Sequence, residues 1–228
     1  MGDSLTKIGF LTIGQSPRVD VTSDIKDYLK GLKIVEAGAL DDYSREYIEE
    51  RLAPEENEVP LITRMRDGSS IRISEEKIIP LLQEKISLLE EKGVEAIAIL
   101  CSGTFPEFKS RVPIIYPDLV LKSYVAPLIS ENDILGVIAP LPEQEKYIKE
   151  KWLESVGRVA IEFASPYSST KEHYITCCKS LLSKNVKAVV LDCIGYSSSI
   201  KRLVREITEL PVISTRTSLA NYLRELYL

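Results

Sequence analysis

Histidine is almost missing from this chain: His173 is the only one in 228 residues. Neutral imidazole is the commonest metal ligand and a frequent general base, so chemistry resting on histidine clusters is not expected. The cysteines do not fill that gap. The four, at positions 101, 177, 178 and 193, have no C-x2-C spacing, and no metal is expected. A glycine-rich dinucleotide fingerprint is also missing, which leaves no sign of an organic cofactor. No run approaches the roughly 20 apolar residues of a membrane span. The opening Met1-Gly2-Asp3-Ser4-Leu5-Thr6-Lys7 lacks a basic stretch leading into an apolar core. A cytoplasmic protein with reduced thiols is the expectation. Positive charge is not in excess either: 29 Lys and Arg face 34 Asp and Glu, with a net charge of -5 and a pI near 5.2. A nucleic-acid partner is therefore not expected.

What is present is enough apolar material for a core, 44% of the residues, arranged as a repeat. Gly93-Val94-Glu95-Ala96-Ile97-Ala98-Ile99-Leu100-Cys101-Ser102-Gly103 aligns without a gap on Asn185-Val186-Lys187-Ala188-Val189-Val190-Leu191-Asp192-Cys193-Ile194-Gly195, at an offset of 92. Each copy follows an amphipathic helix closed by Gly93 or Asn185, residues suited to a left-handed cap. Ile8-Gly9-Phe10-Leu11-Thr12-Ile13 resembles Leu135-Gly136-Val137-Ile138-Ala139, Lys33–Glu36 resembles Arg158–Glu162, and Val112–Ile115 resembles Leu210–Ile213. Short β-branched runs alternating with helical patterns predict βαβ units around parallel sheets.

The expected fold is α/β: two pseudo-symmetric half-domains, each a four-stranded parallel sheet flanked by helices. The expected boundaries are 1–125 and 126–228, the first half carrying an insertion at about 39–74. That insertion should hold a charged helix around Tyr43–Leu52 and a hairpin of Leu61–Met65 and Ile71–Ile73 turning at Asp67-Gly68. It reads as either a lid or a dimerisation arm. Ser169-Thr170-Lys171-Glu172 is read as a capping box opening a helix with Tyr174, Ile175, Cys178, Leu181 and Leu182 on its apolar face. Cys178 is then core, Cys177 its bystander, and His173 faces solvent.

In open parallel sheets ligands bind beyond the carboxyl ends of the strands, where helix N-termini offer free N–H groups. Cys101 and Cys193 fall there, at a small-molecule site expected between the halves. Donors and a helix dipole near such a thiol ease its ionisation. Ser102, Gly103 and Thr104, with Gly195 and Tyr196, are expected to supply donors to a substrate carboxylate or enolate-like oxygen. In Gly14-Gln15-Ser16-Pro17-Arg18, Ser16 is a candidate N-cap and Arg18 a candidate anion ligand. Asp192 should point away from Cys193, because side chains alternate along a strand. Each cysteine alone reads as a small buried residue. Two at one repeated position read as a functional pair.

A duplicated α/β fold with one cysteine per half resembles the aspartate/glutamate/hydantoin racemase superfamily. More closely, Leu11-Thr12-Ile13-Gly14-Gln15-Ser16-Pro17-Arg18, Gly38-Ala39-Leu40-Asp41 with Ser44-Arg45-Glu46, Arg64-Met65-Arg66-Asp67-Gly68 and Leu191-Asp192-Cys193-Ile194-Gly195 resemble the AroM family. The resemblance implies a racemase-like fold. It also implies that Cys101 and Cys193 hold the positions at which racemases remove a proton on one face of a carbon and return one on the other. Cys-Ser-Gly-Thr and Cys-Ile-Gly depart from the racemases' usual Cys-Asn-Thr and Cys-Thr-Glu or Cys-Thr-His, which leaves room for a substrate other than aspartate or glutamate. A homodimer is one assembly the resemblance allows.

The leading expectation is a cofactor-independent racemase or isomerase acting on a small, anionic carboxylate or carbonyl compound. The alternatives are a non-catalytic binding or regulatory protein on the same fold, and a one-cysteine decarboxylase or cis–trans isomerase.

Overall fold

The computed structural model describes residues 5–228. The chain divides into two compact units, Met1–Pro117 with Ala220–Leu228, and Asp118–Leu219. In the first unit β1 (Lys7–Thr12), β2 (Lys33–Gly38), β5 (Ala96–Ile99) and β6 (Ile114–Ile115) form one parallel sheet in the order β2-β1-β5-β6. In the second, β7 (Leu135–Ala139), β8 (Val159–Phe163), β9 (Ala188–Leu191) and β10 (Val212–Ser214) form another in the order β8-β7-β9-β10. Read by position, the strand order is the same in both sheets, as the repeat predicted. Among the described residues no helix is long and apolar enough to cross a membrane.

The central strands are apolar on both faces because helices cover both faces. Along β9, Val189 and Leu191 pack with Cys178 and Leu181 of α6 (Lys171–Ser183) and Val204 of α7 (Ser198–Thr208). Ala188 and Val190 pack on the opposite side with Leu121 and Val125 of α4 (Pro117–Val125) and Ile148 and Trp152 of α5 (Glu145–Leu153). In the first unit Ile97 and Ile99 share a core with Ile78, Leu82, Ile86 and Leu89 of α3 (Glu75–Glu91). Each such buried aliphatic side chain is worth about 1.5–3 kcal/mol.

The predicted left-handed caps are present, with φ of 72° at Gly93 and 53° at Asn185. The capping box is displaced by one residue: Thr170, not Ser169, caps α6, its hydroxyl accepting from the His173 N–H at 3.3 Å. The buried face of α6 is accordingly Tyr174, Cys177, Cys178 and Leu181, while Leu182 is exposed. Cys177 is therefore core as well. Burial raises both thiols, that of Cys178 to about 11, so both stay protonated at neutral pH.

Residues 39–74 hold α2 (Arg45–Arg51) and an antiparallel hairpin of β3 (Pro60–Arg64) and β4 (Ser70–Ser74), with Gly68 at φ 84° in its turn. Leu61, Ile71 and Ile73 enter the α3 core, so the hairpin packs on its own unit.

Candidate functional site

Each sheet ends its third strand in a cysteine turn of the same construction. In the first unit, Cys101 follows β5, and the N–H of Gly103 points at its sulfur, N to Sγ 3.4 Å. In the second, Cys193 follows β9 and receives the N–H of Gly195 at the same 3.4 Å. A donor aimed at sulfur favours the thiolate over the thiol. Neither cysteine is in a disulfide, and their exposures are 9% and 8%, each packed at the rim of its own unit's core.

The surroundings differ. A Cβ placed on Gly103 would meet Glu75 Oε2 at 3.3 Å and the Phe105 ring at 3.4 Å, so a carboxylate from the start of α3 lies against the first turn. Ser102 is buried and Thr104 exposed. In the second turn the guanidinium of Arg216, 1% exposed, donates to two turn carbonyls: Nε to Ile194 O and Nη2 to Gly195 O, both 3.0 Å. Arg216 is the second residue of α8 (Thr215–Tyr227), and Thr215 Oγ1 donates to Leu191 O at 3.1 Å. Tyr196 is fully buried, its hydroxyl donating to Ala164 O at 2.7 Å and its N–H to Cys193 O at 3.3 Å, so both of its donors are used inside the turn and the expected role for it in binding is not met. Burial raises the hydroxyls of Tyr196 and Tyr174, with the neighbouring Cys193 the second cause, so the sulfur lies among neutral phenols.

Asp192 points the other way, as strand alternation predicted. Its carboxylate is bound by Lys151 Nζ at 2.8 and 3.0 Å and by Trp152 Nε1 at 2.8 Å, a buried ion pair under the sheet.

The loop after β1 has a role that its sequence concealed. Ser16 does not cap α1 (Val19–Ile25); Arg18 holds the cap position, and its side chain makes no capping bond to the helix. The reason is Asp41, whose carboxylate takes the Ser16 N–H at 2.6 Å, the Ser16 hydroxyl at 2.8 Å, the Gly38 N–H at 2.8 Å and Arg66 Nη2 at 3.1 Å. Arg18, 2% exposed, grips Asp20 with two bonds of 2.8 Å and donates to Thr12 Oγ1 at 3.2 Å. Its backbone N–H goes to Glu36 at 2.7 Å; burial raises that carboxyl above the usual range. Gln15 ties the loop to Leu40 O, Tyr43 O and the Arg66 N–H. Gly14 and Gly38 must lack side chains here, since a Cβ on either would come within 2.5 Å of neighbouring atoms, backbone among them. The loop is a clasp holding residues 38–43 and the hairpin to the sheet.

A family model described as AroM protein matches residues 8–227. The chain belongs to the AroM family. Its fold is that of aspartate and glutamate racemases and arylmalonate decarboxylase. Glutamate racemase from Aquifex pyrophilus is 17% identical with a TM-score of 0.60, the match covering 97% of this chain and 84% of the racemase. Aspartate racemase of Picrophilus torridus is 12% identical with a TM-score of 0.58 over 97% and 94%. Unliganded arylmalonate decarboxylase is 11% identical with a TM-score of 0.61 over 97% and 92%. No curated protein matches. At such identities the likeness concerns the fold, and the AroM chain's chemistry must be argued from its own residues. Sequence reading missed Arg216, Glu75 and Asp41. Each reaches its turn from a distant segment, and only the pattern of five polar residues from Ser214 to Ser218 opening a helix offered a signal.

Proposed function

We propose that this AroM protein is a cofactor-independent, racemase- or isomerase-like enzyme acting on a small carboxylate or related carbonyl compound, with Cys101 and Cys193 as a functional pair. The carrying observation is the matched construction of the two turns, a cysteine after the third strand of each sheet with a glycine N–H 3.4 Å from its sulfur. The common strand order supports reading the chain as an internal duplication, and the named racemases of this fold support the reaction class. One thiolate takes a proton from the carbon beside the carboxylate: a C–H bond breaks and an S–H bond forms. The other thiol gives its proton to the opposite face, and the roles are exchanged for the reverse direction. Ser102, Gly103, Thr104 and Gly195 are the proposed contacts for the developing oxyanion, the glycines through their backbone N–H groups, while Tyr196 shapes the second turn. Ser16 and Arg18 act at one remove, through the clasp.

The test is solvent-deuterium incorporation into amino acids, hydantoins and small dicarboxylates, read by mass spectrometry. Exchange lost in both Cys101→Ala and Cys193→Ala is the expected result. No exchange with any compound, alongside binding of one of them, would replace the enzyme by a binding or regulatory protein.

The unlike surroundings of the two thiols, with arylmalonate decarboxylase among the solved structures of this fold, favour one second reading, a one-cysteine decarboxylase. There the C–C bond to the carboxylate breaks, carbon dioxide leaves, and a single thiol protonates the carbanion. Activity surviving one of the two substitutions selects it.

A further inference from the structure

With Arg18 bound to Asp20, Thr12 and Thr63, the charge of an anionic substrate needs another partner. Lys201 supplies one. It lies in the first turn of α7, half-buried, its ammonium donating to Thr217 Oγ1 at 2.8 Å. Among the described residues no carboxylate faces it, and burial alone lowers its pKa. Thr217 Oγ1 also shares a hydrogen bond with Ser214 Oγ at 2.9 Å, and both side chains are buried.

The position is an unusual one for a cation. Helix N-termini carry partial positive charge and ordinarily attract acids. Two helices begin here, α7 of 11 residues and α8 of 13, and neither has an acidic residue in its first turn. Lys201 therefore meets desolvation, two opposing helix ends and no counter-charge together. One anion seated against the ammonium and the two hydroxyls relieves all three. The place also suits a substrate: Ser214 pairs in register with Leu191, two residues before Cys193, and Ser197, the cap of α7, follows the same cysteine turn.

We propose that Lys201, Thr217 and Ser214 form an anion subsite at the sheet edge of the second unit. That its anion is the substrate's carboxylate rests on the proposed function; the subsite itself does not. Malonate, acetate and sulfate are the probes, titrated calorimetrically into the full chain carrying Cys193→Ala, so that thiol chemistry cannot interfere. Malonate is expected to bind, at least tenfold more weakly in Lys201→Gln and several-fold more weakly in Thr217→Val. Lys201→Arg should retain binding, and Lys184→Gln, a surface control, should leave it unchanged. Binding should also fade at a lower pH than an ordinary lysine would dictate, as the ammonium loses its proton. Equal malonate affinity in Lys201→Gln, or no binding of any probe by the folded protein, overturns the subsite. The two readings fail separately. Deuterium exchange with an unchanged KM in Lys201→Gln sinks the assignment of the substrate's carboxylate to this subsite, malonate affinity that ignores Lys201 sinks the subsite itself, and lysine-dependent malonate binding without any exchange sinks the enzyme alone.

Discussion

The two cysteine turns share a backbone and almost nothing else. Both follow the third strand of a sheet with the same strand order, and both aim a glycine N–H at sulfur from 3.4 Å. Yet the residue before the cysteine is Leu100 in one and ion-paired Asp192 in the other. A carboxylate lies against the first turn, and a guanidinium holds the carbonyls of the second. The loop after β1 is a polar clasp, while its counterpart after β7, Pro140-Leu141-Pro142, is largely apolar. Backbone topology places the thiols, and local side chains, free to diverge, set the environment of each.

Four experiments bear on that comparison, in descending order of effect. Lys151→Met leaves Asp192 charged and buried, and urea unfolding should show a loss of about 3–5 kcal/mol. Adding Asp192→Leu, which copies the Leu100 arrangement, should recover most of it, because a buried ion pair replaced by apolar residues is often neutral or better. If the double variant is as unstable as the single one, the two turns are not interchangeable scaffolds.

Asp41→Ala removes the acceptor of Ser16, Gly38 and Arg66 and should cost about 2–3 kcal/mol, since bonds to charged groups are each worth about 1.5–3 and water replaces some of them. Hydrogen exchange should quicken at residues 60–74 and leave the second unit unchanged; uniform quickening would refute the clasp.

Gly195→Ala pushes a methyl to 2.7 Å from Tyr167 Oη and 2.8 Å from Pro166 Cγ, whereas Gly103→Ala meets nothing nearer than 3.3 Å. Thermal denaturation should show a loss of about 1–2 kcal/mol for the first and under about 0.5 for the second. Equal losses would mean that the turns are packed alike.

The smallest effect concerns Asp118, the third residue after β6, close to the place that Arg216, the second after β10, takes in the other half. Asp118 is 2% exposed, its Oδ1 has no hydrogen-bond partner among the described residues, and burial raises its pKa, with Lys151 opposing. The folded protein therefore holds this proton more tightly than the unfolded chain does. Stability falls as pH rises from the ordinary aspartate value, about 3.9, through the raised folded value. Asp118→Asn should be more stable than the parent at pH 7, the gap closing below about pH 4, as read by urea unfolding across pH. A gap that widens toward acid would contradict the burial argument.

Much of this was legible in one dimension. The strands, their common order, the hairpin turning at Asp67-Gly68 and the left-handed caps at Gly93 and Asn185 follow from apolar periodicity and local conformational preference, which neighbours in sequence decide. The opposite directions of Asp192 and Cys193 follow from the two-residue period of a strand. What only the tertiary structure decided is which polar groups meet. Ser16 looked like a cap until Asp41, 25 residues on, took its hydroxyl, and Arg18 looked ready for an anion until Asp20, Thr12 and Thr63 surrounded it. Beyond the polar run from Ser214 to Ser218, nothing local marked the partners of Arg216 and Lys201, because parallel strands carry their successors past the same sheet edge and bring together α7 and α8, where Lys201 meets Thr217 16 residues on. Periodicity reports which face is buried; hydrogen-bonding partners are set by long-range packing, which leaves no period to read.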